Sequence, residues 1–150
     1  MNAHWTLPCA ASSVGYARGA VRGVLEAAGS SSDERDAAAL VITELLANAI
    51  IHGGRSQDRI EVTVESSERR IHIEVEDRNP RPPVQREIDA DAPFGRGLVI
   101  VDALSSAWGW DPIDGAGKRV WCDVPRTGEP SRGRTLRGHA GPAAGVMPAL

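Results

Sequence analysis

Apolar positions along the chain fall into two periods. Val14, Ala17, Val21, Val24, Leu25 and Ala28 return every three or four residues, the spacing of one helical face. Ser12 and Ser13 are candidate caps for that helix, and Gly29 is its natural stop. A second helix is predicted to begin at Ser31-Ser-Asp-Glu34, which fits a capping box: the serine hydroxyl accepts from the third helical amide and the glutamate reaches back. Ala38, Leu40, Val41, Ile42, Leu45, Leu46, Ala49 and Ile50 wrap more than half of this helix, so it should be largely buried. It runs to about His52 and stops at Gly53-Gly54.

Elsewhere the period is two. Ile60, Val62 and Val64 alternate with Glu61, Thr63 and Glu65, and Ile71, Ile73 and Val75 alternate with His72, Glu74 and Glu76. With Ser66 to Arg69 as a turn, the two runs form an antiparallel hairpin with one wet face. Asp77 continues the series 71, 73, 75, so either its carboxylate points inward or the strand has ended and Asp77 opens a turn with Asn79-Pro80. A first strand is expected over 3–9, and two last strands around Trp108–Trp110 and Val120–Val124, joined by the turn from Asp114 to Lys118. Residues 78–96, with Pro80, Pro82, Pro83 and Pro93, read as a long loop, a feature that in compact domains is functional or disordered. It leads through Gly95-Arg96-Gly97 into a short apolar helix, Leu98 to Leu104. Glycines before a helix permit close backbone approach to a phosphate, although a Gly-x-Gly alone more often marks a tight turn.

The order of these elements predicts an α+β fold, a two-layer α/β sandwich in which a mixed, mostly antiparallel sheet carries helices on one face. One domain is expected over 1–126. Residues 127–150 are rich in Gly, Pro, Ala and Arg without periodicity and read as a disordered tail.

The second helix carries an anomaly. Glu44, Asn48 and His52 recur every four residues and so form a polar stripe. A stripe of this kind is ordinarily a solvated face. On a helix predicted to be buried, however, Glu44 and Asn48 need partners. His52 has a structural reading as well, since a cation near a helix C-terminus is favourable.

Composition narrows the function. Of 150 residues, 41% are hydrophobic and 25% charged, as in ordinary globular proteins. No apolar run reaches a membrane span, and the N-terminus lacks the pattern of a secretory signal. Cys9 and Cys122 are too few for a disulfide framework or metal cluster and read as reduced structural thiols of a cytoplasmic protein. The net charge of −3 hides an asymmetry: residues 126–150 hold four arginines against Glu129, leaving −6 on residues 1–125. A domain that acidic is not expected to bind nucleic acid directly. Lys118 is the only lysine beside 16 arginines.

Glu44-x-x-x-Asn48-Ala-x-x-His52-Gly53, Val75-x-Asp77 and Gly95-x-Gly97-Leu98, in this order, resemble the ATP-binding (Bergerat) fold of histidine kinases, the Hsp90 chaperone and type II topoisomerases. The short chain and the ending Gly117-Lys-Arg-Val-Trp121 are most similar to its anti-sigma-factor serine/threonine kinase branch, over about residues 3–125. The resemblance implies ATP and Mg²⁺ as cofactors, with Asn48 as the Mg²⁺ ligand and Glu44 orienting or deprotonating the attacking hydroxyl. It implies that Asp77 accepts from the adenine amine, that Gly95, Arg96, Gly97 and Leu98 meet the phosphates, and that His52, Asn79 and Lys118 lie at the nucleotide. It further implies a sigma factor and an antagonist (anti-anti-sigma) protein as partners, and admits a homodimer. Two departures stand out: Arg78-Asn79-Pro80 replaces glycines common in relatives, and Lys118-Arg119 replaces threonines. Two other functions stay open, a non-catalytic ATP-gated binding module and a detached histidine-kinase catalytic domain.

Overall fold

The computed structural model describes residues 1–52, 55–83, 97–115 and 117–126. Within them the chain forms β1 (Asn2–Pro8), α1 (Ser12–Ala27), α2 (Ser32–His52), β2 (Arg59–Ser66), β3 (Arg70–Asp77), α3 (Gly97–Leu104), β4 (Ala107–Ile113) and β5 (Gly117–Pro125). The five strands make one sheet in the order β1-β2-β3-β5-β4. All four pairings are antiparallel, so the sheet is antiparallel throughout rather than mixed. Gly53-Gly54, most of the long loop including Gly95 and Arg96, and the 127–150 tail lie outside the described residues.

Alternation decides which face of the sheet is dry. Ile60, Val62, Val64, Ile71, Ile73, Val75, Val120, Cys122 and Val124 are buried, while their neighbours in sequence are at least partly solvated. The buried face packs against Ala17, Val21 and Leu25 of α1, the apolar side of α2, and Leu98 and Val101 of α3. Removing each Val, Leu or Ile side chain from water contributes about 1.5–3 kcal/mol, which makes this layer contact the main stabilising element. Cys9 and Cys122 are both buried and free.

The helix ends follow local chemistry, with one correction. Gly29 adopts φ +73°, the Ser30 amide bonds the Leu25 carbonyl and the Gly29 amide bonds that of Glu26, a Schellman stop for α1. The capping box at α2 is present, with Glu34 N to Ser31 Oγ at 3.2 Å and Ser31 N to Glu34 Oε2 at 3.0 Å. Ser12 and Ser13, by contrast, cap nothing. Ala11 is the N-cap of α1, Ser12 is already helical, and Ser13 Oγ donates to the Pro8 carbonyl at 2.6 Å, tying the helix to the end of β1. Arg22 pairs with exposed Asp36 at 2.6 Å, linking the two long helices across solvent.

Candidate functional site

Helix α2 departs from the usual arrangement of polar and apolar side chains at a few positions. Its outward line is Asp33, Asp36, Leu40 and Ile51, with Leu40 and Ile51 each 49% exposed. Leu40, expected in the core, therefore lies in water because the helix turns another face to the sheet. Glu44 is only 9% exposed, and Asn48 and His52 are half-buried. The polar stripe is thus not the solvated face.

Burial pushes the Glu44 carboxyl above its ordinary pKa. The side-chain oxygen of Asn48, one turn on, is also shielded from solvent. His52 closes the helix, and its carbonyl accepts a hydrogen bond from the Asn79 side-chain amide. That bond fastens the C-terminal end of α2 to the exit of β3.

The parity of β3 persists through its last residue. Asp77 is in the strand, paired in register with Lys118 of β5, and points into the core with Val75. Its partners are internal. Lys118 Nζ bonds Oδ1 at 3.0 Å and Oδ2 at 2.9 Å, and the Asn79 backbone amide bonds Oδ1 at 2.8 Å. A third bond runs from Lys118 Nζ to the Asn79 carbonyl at 3.2 Å. The two side chains are 1% and 2% exposed, so the pair is fully desolvated. Burial pushes the Asp77 carboxyl up, and the Lys118 ammonium and Asn79 amide pull it back.

Gly117 makes this register possible. It has φ +132°, and a Cβ there would stand 1.8 Å from the Asp77 carbonyl oxygen. Only glycine lets β5 begin this close to the end of β3. The Asp77–Lys118 pair and the need for Gly117 escape sequence reading, because neither residue is near the other in the chain. The visible signal is that the chain's only lysine follows a glycine at the start of an alternating strand.

The structure therefore joins Asp77, Asn79, Lys118 and the His52 carbonyl into one hydrogen-bonded group at the ends of β3, β5 and α2. Asn79 is committed there four ways, since its side-chain oxygen also accepts from the Arg81 amide at 3.1 Å. Gly97 opens α3 and Leu98 is buried in its first turn, and α3 packs against α2. Among the described residues no cluster of three or more His, Cys, Asp or Glu side chains is arranged to hold a metal, and no helix is long and apolar enough to cross a membrane.

Comparison with known proteins agrees with this fold. No curated protein sequence matches the chain. Among solved structures, the chain is similar to the RsbU and RsbW domains of Rv1364c from Mycobacterium tuberculosis, at 20% identity and a TM-score of 0.64. The match takes in 84% of this chain but 33% of that one, so the present chain spans about a third of its length. At that identity the likeness shows a shared fold. The profile of the histidine kinase-like ATPase domain matches residues 7–122, from the end of β1 to the middle of β5. With more than half of its length inside that match, the chain belongs to the histidine kinase-like ATPase domain family.

Proposed function

We propose that this domain binds Mg²⁺-ATP and transfers the γ-phosphoryl group to a serine or threonine hydroxyl of an antagonist protein, and that it regulates transcription by sequestering a sigma factor. The observation that carries the catalytic part is Glu44: a carboxylate inside the layer contact, raised in pKa by burial, one turn from Asn48. Nucleotide binding alone requires no such group, whereas a general base is best placed when its pKa is moved toward the working pH. The sequence resemblance to the anti-sigma-factor kinase branch is what supports the choice of partners.

The donor set fits magnesium. Mg²⁺ takes one or two protein oxygens and fills its octahedron with phosphate oxygens and water, so the Asn48 amide oxygen meets its protein share. Bound there, the ion supplies charge neutralisation between the phosphates. Glu44 orients the acceptor hydroxyl and takes its proton. In this reading Asp77 accepts from the base beside Asn79, Lys118 and the His52 carbonyl, and backbone amides of Gly95, Arg96, Gly97 and Leu98 meet the phosphates, Gly97 and Leu98 being the two that open α3.

One observation favours a second reading, an ATP-gated binding module without transfer. Asp77 already has Lys118 and the Asn79 amide as internal partners, so a base that displaced one of them would change the contacts at the ends of β3 and β5. Single-turnover assay with labelled ATP and the cognate antagonist separates the two. Glu44→Ala is expected to keep ATP affinity and lose transfer about 10²–10⁴-fold, the usual contribution of a positioned base. Asn48→Ala is expected to lose Mg²⁺-dependent binding. ATP binding by the wild type without any transfer would leave the binding module standing, and equal unfolding of both variants would return the stripe to a structural role.

A further inference from the structure

The C-terminal end of α2 is held by a residue from outside the helix. The last four carbonyls of a helix have no donor within it, and in α2 they belong to Ala49, Ile50, Ile51 and His52. Asn79, 27 residues further along the chain, donates its side-chain amide to the His52 carbonyl. Three further bonds fix Asn79 itself. Its backbone amide donates to Asp77 Oδ1 at 2.8 Å, its carbonyl accepts from Lys118 Nζ at 3.2 Å, and its side-chain oxygen accepts from the Arg81 amide at 3.1 Å. Asp77 and Lys118 oppose each other in the β3–β5 ladder and are fully desolvated. The tether on α2 therefore ends on a buried ion pair of the sheet.

What hangs on that tether is the polar stripe. Asn48 lies about one turn before His52, and Glu44 about two. Helix ends open more readily than helix middles, so a lost cap loosens the last turn first. Transfer depends on close placement of the reacting groups, and a misplacement of about 1 Å can cost about 10²-fold in rate. From this geometry we infer that Asn79 is a positioning residue: it clamps the end of α2 to the Asp77–Lys118 pair and so holds Asn48 and Glu44 in place for transfer. The inference rests on the reading of those two side chains as the metal-binding and catalytic groups.

Two substitutions in the full chain test it. Asn79→Gly removes both side-chain bonds, whereas Asn79→Asp keeps the acceptor for Arg81 and removes the donor. Without nucleotide, amide hydrogen exchange at Ala49 to His52 should quicken about 2–10-fold in both variants, the worth of one hydrogen bond, while β2 and β3 exchange as in the wild type. Single-turnover transfer at saturating Mg²⁺-ATP should slow about 10–100-fold in both, a larger factor than any loss of ATP affinity. Unchanged exchange in Asn79→Asp overturns the inference, because the donor then holds nothing. Equal quickening in β2 and β3 overturns it as well, since Asn79 then stabilises the whole fold. So does faster exchange at the helix end with transfer at the wild-type rate. If the wild type binds Mg²⁺-ATP and transfers nothing, the catalytic reading of Glu44 fails separately. The Mg²⁺-dependent part of ATP binding then decides: it should weaken in both variants, and an unchanged value overturns the positioning of Asn48. A wild type that binds no ATP removes the nucleotide reading and the inference with it.

Discussion

Strands β3 and β5 carry two charge clusters on opposite faces, and their difference is instructive. On the open face, His72 lies between Asp123 (Nδ1 to Oδ1, 2.5 Å) and Glu74 (Nε2 to Oε1, 3.0 Å) and stacks on Trp121 with ring centroids 6.1 Å apart. Arg70 reaches Asp123 at 2.6 Å, and Arg119 reaches Glu76 at 2.5 Å. Every one of these side chains keeps some contact with water, from 13% to 53%. On the inner face the Asp77–Lys118 pair has almost none. An antiparallel register brings both about, since His72 opposes Asp123 and Asp77 opposes Lys118 in the same ladder. A shift of one residue in parity thus separates a solvated network that tolerates loss of a member from a desolvated pair that does not.

That contrast is open to direct attack, and the inner pair should respond most. Lys118→Met leaves Asp77 as an uncompensated buried charge and is expected to cost about 3–5 kcal/mol in urea unfolding. Adding Asp77→Asn should recover a large part of the loss. If the double variant is as unstable as the sum of the singles, the pair is not coupled.

The outer network should show itself through pH. Asp123 and Glu74 raise the His72 pKa from 6.5 to about 9. The folded state therefore holds a proton that the unfolded chain releases between these values. Its stabilising contribution is complete below pH 6.5 and disappears as pH rises through about 9. Because the network is partly solvated, the effect should be about 1 kcal/mol. Wild type and His72→Gln compared at pH 6 and pH 9.5 measure it; parallel stability at both pH values would mean that the histidine is not held in its charged form.

Smallest of all is Arg22→Ala. Both members of the Arg22–Asp36 bridge are at least half exposed, so thermal unfolding should change by less than about 0.5 kcal/mol. A larger loss would mean that solvated pairs in this protein couple the helices more tightly than the inner-versus-outer contrast allows.

Much of this architecture is legible from residue order. The alternation in β2 and β3, the capping box at Ser31 and the stop at Gly29 are local, and each appears as read. Ser13 misleads because a serine near a helix start has a competing acceptor in the Pro8 carbonyl, which only the β1–α1 corner brings within reach. Leu40 misleads for a related reason: apolar residues wrap more than half of α2, so periodicity cannot say which side the sheet will take.

The burial of Glu44, Asn48 and His52 is set at the same level. Sequence supplied their types, their common face and the resemblance to an ATP-binding family, because helical spacing and motif order are properties of the chain alone. That Glu44 is buried while Leu40 is wet, and that Asp77 is met by Lys118 from 41 residues away, only the tertiary structure decided. Burial and long-range register depend on which surfaces pack, and packing is settled by the whole chain together rather than by any one stretch.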